Sequence, residues 1–404
     1  MKSKVRGWLK TIGKGIFAGT LAMQCICALV WSIGNFGVMQ GFSDVPGYVS
    51  GEIKGIYSLF VRLFHGSVYP IVILQFVICT VFVYVALAAF LRGLEGQNVP
   101  ARSVLLGTVF LITNPFFFTI ICSVEPYAFA AVASFVAISY GFLYINRIGE
   151  KGCISFLTVA ILAVLCAYDF DNRYYAATVL ILAILSTGGL IRVLSKPALR
   201  KNIGNILLPA SVFLLFAVFM ALTFRKIPYL TENSKGGFSL LKDICKGWFS
   251  FLAAPVMLLF KKYPFGDSLN PYLYAVLWQK KTSWTLFYFR SCAFGYAVFI
   301  FCGVILGIVN RLLSEKNERR KGLWQKIIFY SLLPVLSLIL FLSGKTDYDF
   351  RLCLTVILLW GTAVIANVSE NGRDELFAFG IKEKKSENVM KPKGKAGISG
   401  GEEE

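Results

Sequence analysis

The chain alternates long apolar runs with polar connections, and this pattern predicts an all-α membrane protein. Each run is close to the roughly 20 residues that an α-helix needs to cross the hydrocarbon core of a bilayer. We therefore predict a polytopic protein with about ten transmembrane helices. The runs occupy residues 16–38, 68–91, 104–122, 127–145, 154–168, 174–194, 203–224, 286–310, 326–343 and 352–368.

The composition agrees with this pattern and narrows the class of partner. Apolar residues make up 56% of the 404 residues, and aromatic residues make up 15%, which does not describe a soluble domain. The net charge of +19 would suit nucleic acid, but the Lys and Arg residues are scattered in loops rather than gathered on one face. We therefore expect membrane lipids, and no nucleic acid, as partners. The ten cysteines show no disulfide framework or zinc spacing.

The basic residues also predict the orientation of the helices. With the amino terminus inside, nineteen Lys or Arg residues before the tail fall on the cytoplasmic side, and five fall in the outer loops other than the long one. The positive-inside rule favours this arrangement. Both termini are then cytoplasmic. Ten of the fourteen acidic residues outside the tail face the exterior, so chemistry is expected on the outer face.

Four segments follow from these boundaries. Residues 1–224 form a membrane core, with a first outer loop at 39–67, and residues 286–368 form the C-terminal transmembrane helices. Between them, residues 225–285 form a long outer loop. Its apolar stretch at 248–260 is too short to span and is predicted to be interfacial or re-entrant, although a paired crossing with 269–279 would raise the count to twelve. The polar tail, 369–404, is predicted to be disordered and cytoplasmic.

The first outer loop contains an amphipathic segment, residues 51–66, which predicts a helix lying along the bilayer surface. Its apolar positions recur at helical spacing, whereas its polar positions fall on the other face. His65, the only histidine of the chain, lies on the polar face, where solvation is a better explanation than metal binding. The apolar positions are Ile53, Ile56, Leu59, Phe60, Leu63 and Phe64, and the polar ones are Lys54, Ser58, Arg62 and His65.

Two acidic residues at span ends are candidates for chemistry, because a carboxylate at the mouth of a membrane cavity can act as a base. Asp44 follows the first run, and its other interpretation is a cap on a short helix that begins near Val45-Pro46. Glu125 lies in SVEPY, and its other interpretation is a solvated loop carboxylate. Pro126 holds Glu125 extended, and so short a loop keeps it near the membrane, where burial perturbs a pKa.

The order of these motifs carries a resemblance. An acid soon after the first span, Tyr48, an amphipathic run ending near Tyr69-Pro70, and then Asn114-Pro115 and Glu125-Pro126 resemble the GT-C fold glycosyltransferases. The likeness covers roughly residues 15–190 and is closest to bacterial members related to the protein mannosyltransferase and aminoarabinose transferase families. It implies an enzyme of the inner or plasma membrane. Such an enzyme transfers a sugar from a polyprenyl-phosphate-linked donor to an envelope glycan, lipid or protein acceptor.

The resemblance also implies roles for particular residues. Asp44 would be the catalytic base, while Glu125 and Tyr48 would bind the acceptor or a divalent metal ion, for which Asp44 and Glu125 are the candidate ligands. Basic residues of the outer loops would bind the donor phosphate. For these residues local pairing, as between Arg173 and Asp169 or Asp171, and snorkelling to the interface are the competing interpretations. The phosphate-binding candidates are Arg173, Lys261, Lys262 and Arg290.

Two other function classes compete with the glycosyltransferase. A transporter or flippase of a lipid-linked glycan would carry ionisable residues within its spans and an internal repeat of its two halves. The acids of this sequence instead cluster at span ends, and residues 1–200 do not repeat in 201–368. A non-catalytic subunit that retains the GT-C fold is the third interpretation.

Overall fold

The structure is a computed structural model that describes residues 2–35, 45–95, 101–171 and 174–223, together with five residues between 358 and 365. Within these ranges the chain is all-helical. The helices are α1 (Lys2–Asn35), α2 (Val45–Ser50), α3 (Ile56–Leu63), α4 (Val68–Glu95), α5 (Ala101–Ile112), α6 (Pro115–Ile121), α7 (Tyr127–Arg147), α8 (Cys153–Phe170), α9 (Tyr175–Ser195), α10 (Pro197–Arg200) and α11 (Ile203–Thr223).

Five helices of the described ranges are long and apolar enough to cross a membrane. They are α4, α7, α8, α9 and α11, and they fall on the predicted runs at 68–91, 127–145, 154–168, 174–194 and 203–224. Apolar segments in a bilayer are expected to be helical, because a backbone exposed to lipid must satisfy its own hydrogen bonds. The predicted runs at 286–310 and 326–343, and most of the run at 352–368, lie outside the described residues, as do the outer loop at 225–285 and the tail.

The predicted single span at 104–122 is wrong in its continuity, because the chain forms two shorter helices there. Helix α5 ends at Ile112, and α6 begins at Pro115. Proline has no N–H to donate, and it disfavours helical geometry in the residue before it, which is Asn114. The break is packed against α1, where the Thr113 hydroxyl lies 3.2 Å from Gln24 Oε1.

Helix α7 occupies the centre of the described bundle, and most of its residues are buried. It packs against α4, α8 and α9. Helices α4 and α7 approach closely at Gly93, where a Cβ would be in van der Waals contact with the α7 backbone, 3.4 Å from the nitrogen of Leu143. Small residues permit such close approach between membrane helices. The aromatic pair Phe90 and Phe142, with ring centroids 5.7 Å apart, fills the adjacent space.

The two ends of the bundle differ in charge. At one end the Asn146 amide donates to Gly93 O at 2.7 Å, and Arg192 donates to Asn146 O at 3.4 Å. Arg92, Arg147 and Arg192 all lie in the last turns of their helices at this end, where a cation is favourable for the helix dipole. The opposite end carries α2, α3 and the turn between α6 and α7.

Helix α3 lies inside the predicted amphipathic segment, and it packs against the protein through residues that lie mostly outside the predicted apolar stripe. Tyr57, Ser58 and Val61 are buried against the protein, with Phe60 and Phe64 partly buried beside them. Ser58, expected on the polar face, is therefore inside. The helix is apolar on two sides, and neither Tyr57 nor Val61 had been counted in the predicted stripe. Three residues of the predicted bilayer-facing stripe point away from the protein: Ile56, Leu59 and Leu63, which are 46%, 65% and 71% exposed.

Candidate functional site

Two tyrosines form the centre of the site, where α2 and α3 cover one end of the bundle. Tyr48 of α2 and Tyr57 of α3 are buried, and their rings meet edge to face with centroids 5.2 Å apart. Two side chains of α3 fix α2 in place by bonding to the same carbonyl. Tyr48 O accepts the Ser58 hydroxyl at 3.2 Å and the Arg62 Nε–H at 2.9 Å.

Glycines permit this tight loop at two points. Gly51 has a φ of +87°, and a methyl group there would collide with the guanidinium of Arg62. Gly66, between α3 and α4, has a φ of +75°, and a Cβ would lie 2.9 Å from Val49 and 3.0 Å from Val45. Both positions need left-handed backbone, which residues with a Cβ adopt at a cost of about 1–2 kcal/mol. The loop therefore packs α2 directly on the turn that starts α4.

Glu125 lies beneath this loop, in the short turn from Cys122 to Pro126 that precedes α7. Its residue is only 6% exposed, so the solvated loop carboxylate considered from the sequence is not what the structure contains. The turn is closed by a bond from the Glu125 N–H to Ser123 O at 3.0 Å. Burial above all, then Tyr48 and then the Glu125 carboxylate, raises the pKa of Tyr57 well above its usual value. Tyr57 is therefore a neutral phenol close to the Glu125 carboxylate.

Gln75 of α4 connects Tyr57 to the turn that holds Glu125. Its amide NH₂ donates to Ile121 O and to Ser123 O, both at 2.9 Å, and its Oε1 lies 3.0 Å from Tyr57 Oη. Because the two carbonyls can only accept, the amide oxygen must face the phenol, and Tyr57 must be the donor. Gln75 has no exposed surface. The four groups therefore form one buried hydrogen-bonded chain.

An aromatic wall closes one side of Tyr57. The Tyr57 ring lies 5.8 Å from that of Phe129 at the start of α7, and Phe60 lies 5.3 Å from the same ring. Phe129 in turn lies 5.3 Å from Phe170 at the end of α8. These contacts place the ends of α7 and α8 against the first loop, so the site is built from residues that are more than 100 positions apart.

Asp169, in the last turn of α8, fixes the beginning of α3. Its Oδ2 accepts the N–H of Ile56, the first residue of α3, at 2.7 Å. Gly55 makes this approach possible: its φ is +131°, and a Cβ there would sit 3.3 Å from Asp169 O. A carboxylate at a helix N-terminus satisfies an otherwise unpaired donor and complements the helix dipole. Asp169 therefore joins the end of α8 to the loop that carries α2 and α3.

The structure describes some of the candidate site residues from the sequence and not others. Glu125 and Tyr48, two of the candidates, both lie close to Tyr57. Asp44 lies outside the described residues, directly before Val45, the first residue of α2. His65 is exposed, with a φ of +51°. The four phosphate-binding candidates, Arg173, Lys261, Lys262 and Arg290, also lie outside the described residues.

Three members of the site were missed from the sequence: Tyr57, Gln75 and Asp169. Gln75 could have been found from the sequence, because a polar residue inside an apolar span is costly unless it is hydrogen-bonded, which predicts a buried partner. Tyr57 sits between positions that had been assigned to two faces of one helix. Asp169 was noted only as an acid beside Arg173, since nothing local indicates a partner 113 residues away.

The described residues do not by themselves build a metal centre. In the ranges that the structure covers, no three His, Cys, Asp or Glu side chains come together as ligands. No protein-family model, curated protein or solved structure matches this chain. The likeness to GT-C enzymes therefore rests on the order of motifs in the sequence.

Proposed function

We propose that this protein is a membrane glycosyltransferase of the GT-C type. It transfers a sugar from a polyprenyl-phosphate-linked donor to an envelope glycan, lipid or protein acceptor, on the outer face of the inner or plasma membrane. The observation that carries the proposal is the buried Glu125 side chain at a span end, close to Tyr57, whose ring meets that of Tyr48 in the two-helix loop. An acid buried among aromatic residues at the membrane surface suits the binding of a sugar hydroxyl.

In the proposed reaction, Asp44 is the base. Its carboxylate takes the proton of the acceptor hydroxyl while that oxygen attacks the anomeric carbon of the donor. A new glycosidic bond forms, and the bond from the anomeric carbon to the phosphate oxygen breaks, so that polyprenyl phosphate leaves with the electron pair. Asp44 directly precedes α2, whose Tyr48 contacts Tyr57.

Glu125 orients the acceptor in this scheme. A buried carboxylate accepts a strong hydrogen bond from a hydroxyl, and the turn that carries Glu125 is fixed by two backbone carbonyls bound to Gln75. Orientation of a nucleophile in a preorganised site lowers the barrier to attack. Arg173, Lys261, Lys262 and Arg290 remain the residues proposed to bind the donor phosphate and to stabilise the departing charge.

The exposed stripe of α3 supports a lipid-linked donor. Ile56, Leu59 and Leu63 point away from the protein on the helix that covers the site. An amphipathic helix with such a stripe buries it at the boundary between headgroups and acyl chains. A polyprenyl chain in the outer leaflet could then approach the site along this helix. Membrane lipids would be the other partners of the same surface.

The charge of the two bundle ends supports the proposed orientation. Arg92, Arg147 and Arg192 lie at the end opposite to Glu125. The positive-inside rule puts this basic end in the cytoplasm and the site outside. About ten spans, with both termini cytoplasmic, complete the proposed topology.

The proposal is tested by replacing Glu125 in cells whose envelope glycans are analysed by mass spectrometry. Loss of the protein should remove one sugar from a glycan, lipid or protein, and wild-type protein should restore it. Glu125→Gln should reduce the restored transfer roughly 10- to 100-fold, the loss expected for one hydrogen bond to a charged group. The matched control is Glu150→Gln, because Glu150 is exposed and pairs with Arg147 at the opposite end.

Two results would contradict the proposal. Envelope glycans that are identical with and without the protein would remove the glycosyltransferase assignment. Full transfer by Glu125→Gln, at the same membrane abundance as wild type, would remove Glu125 from the site. Equal losses in Glu125→Gln and Glu150→Gln would show an effect on folding rather than on the acceptor.

A further inference from the structure

Gln75 is a polar side chain buried within the apolar helix α4. It lies seven residues after Val68, the first residue of α4, which corresponds to about 10 Å along the helix axis. Its side chain has no exposed surface. A buried amide in such an apolar helix is costly unless its donors and acceptor are satisfied. Gln75 uses both of its N–H groups and its oxygen on other parts of the chain.

The partners of Gln75 are informative because they belong to two separate segments. On one side its NH₂ group binds Ile121 O and Ser123 O, each at 2.9 Å. Ser123 O also accepts the N–H of Glu125 at 3.0 Å, so one carbonyl joins Gln75 to the residue of the proposed site. On the other side Gln75 Oε1 accepts the Tyr57 hydroxyl at 3.0 Å. One rigid amide thus spans α3 and the turn before α7.

We propose that Gln75 is a positioning residue that fixes the Glu125 turn beneath α3. The amide fixes the separation between Tyr57 and the two turn carbonyls, and so it sets where the Glu125 carboxylate lies relative to the loop that covers it. Gln75 does not ionise and needs no contact with substrate. The inference rests on the proposed function of Glu125 in acceptor binding, but its structural part can be measured without any transfer assay.

Gln75→Met is the appropriate variant, since methionine has a similar length and an apolar side chain that suits a membrane helix. It removes all three hydrogen bonds at once. A second variant, Tyr57→Phe, removes only the bond to α3. The matched control is Thr80→Val on the same helix, because among the described residues the Thr80 hydroxyl bonds only to Phe76 O, within α4, at 2.7 Å.

The structural test is hydrogen exchange of the full-length protein in detergent or lipid nanodiscs. Gln75→Met should speed exchange in the peptide covering residues 121–127 by roughly tenfold or more, because two hydrogen bonds to that turn are lost. Tyr57→Phe should speed exchange in α3 and leave the turn closer to wild type. Thr80→Val should change neither. Unchanged exchange at 121–127 in Gln75→Met, in a folded protein, would overturn the proposal.

The functional test is a double-mutant cycle on sugar transfer. If Gln75 acts through Glu125, Gln75→Met alone, with Glu125 unchanged, should reduce kcat/KM for the acceptor by roughly tenfold. In a Glu125→Gln background the same change should cost less than about twofold, since the group to be positioned is already lost. The KM for the lipid-linked donor should stay constant in all four proteins.

The outcomes separate the two ideas. Equal losses from Gln75→Met in both backgrounds would show that Gln75 is only structural and would overturn its positioning role. Fast exchange at 121–127 together with full transfer in Glu125→Gln would support the fixing of the turn by Gln75 and overturn the proposed role of Glu125. No rescue variant is needed to interpret Gln75→Met, because Tyr57→Phe and Thr80→Val already control for loosening of α3 and α4.

Discussion

The bond between Asp169 and Ile56 gives the most direct test of how the first loop is held over the site. Asp169 Oδ2 accepts the N–H of Ile56, the first residue of α3, at 2.7 Å, although Asp169 lies 113 residues later in the chain. A hydrogen bond to a charged group contributes about 1.5–3 kcal/mol, and this one is exposed, so the lower end applies. Asp169→Ala should therefore destabilise the closed position of α3 by about 1–2 kcal/mol, which corresponds to a five- to thirtyfold change in local opening.

The assay is hydrogen exchange of a peptide that covers residues 56–64, at constant pH and in the same detergent. Asp169→Ala should exchange five to thirty times faster in this peptide than wild type, as estimated for the lost bond. Asp169→Asn should fall between them, since its amide oxygen still accepts but carries no charge. The matched control is Thr158→Val on α8, where the exposed hydroxyl bonds, within the part of the chain that the structure describes, only to Ile154 O at 3.0 Å.

Two results would refute this reasoning. Wild-type exchange at 56–64 in Asp169→Ala would mean that α3 is held by its buried face alone. A comparable increase in Thr158→Val would mean that α8 as a whole, rather than the carboxylate, controls the loop. In either case Asp169 would lose its role in closing the site.

Two further predictions concern the loop and the proposed base. Asp44→Asn keeps the ability to cap a helix but cannot take a proton. Transfer in the envelope-glycan assay should therefore fall by roughly 10²- to 10⁴-fold at matched folded amounts. Near-wild-type transfer would identify Asp44 as a cap. Leu59→Asp combined with Leu63→Asp should reduce transfer in membranes. The free energy of unfolding in detergent should stay within about 0.5 kcal/mol of wild type, because both residues point away from the protein. Val61→Asp, at a fully buried position of the same helix, should instead unfold the loop. Unchanged transfer in the Leu59 and Leu63 variant would count against the lipid-facing stripe.

The sequence by itself determined the five long apolar helices of the described ranges and where several of them begin. Apolar runs near 20 residues must be helical in a bilayer, because no water is present to satisfy the backbone. The runs starting at 127, 154 and 203 therefore begin within a residue of Tyr127, Cys153 and Ile203 in the structure. The place of Glu125 at a span end was also predictable, since Pro126 and the brief loop leave it little freedom. These features depend on neighbouring residues only.

Only the tertiary structure decided what surrounds Glu125. The rotation of α3 depends on which of its two apolar sides meets the bundle, and a helical period cannot choose between two apolar sides. The break before Pro115 depends on whether packing supports a kink or a new helix. The bonds from Tyr57 to Gln75 and from Asp169 to Ile56 join residues 18 and 113 positions apart. Such pairs form because folding brings helix ends together and buried polar groups must find partners, a requirement that no local pattern records.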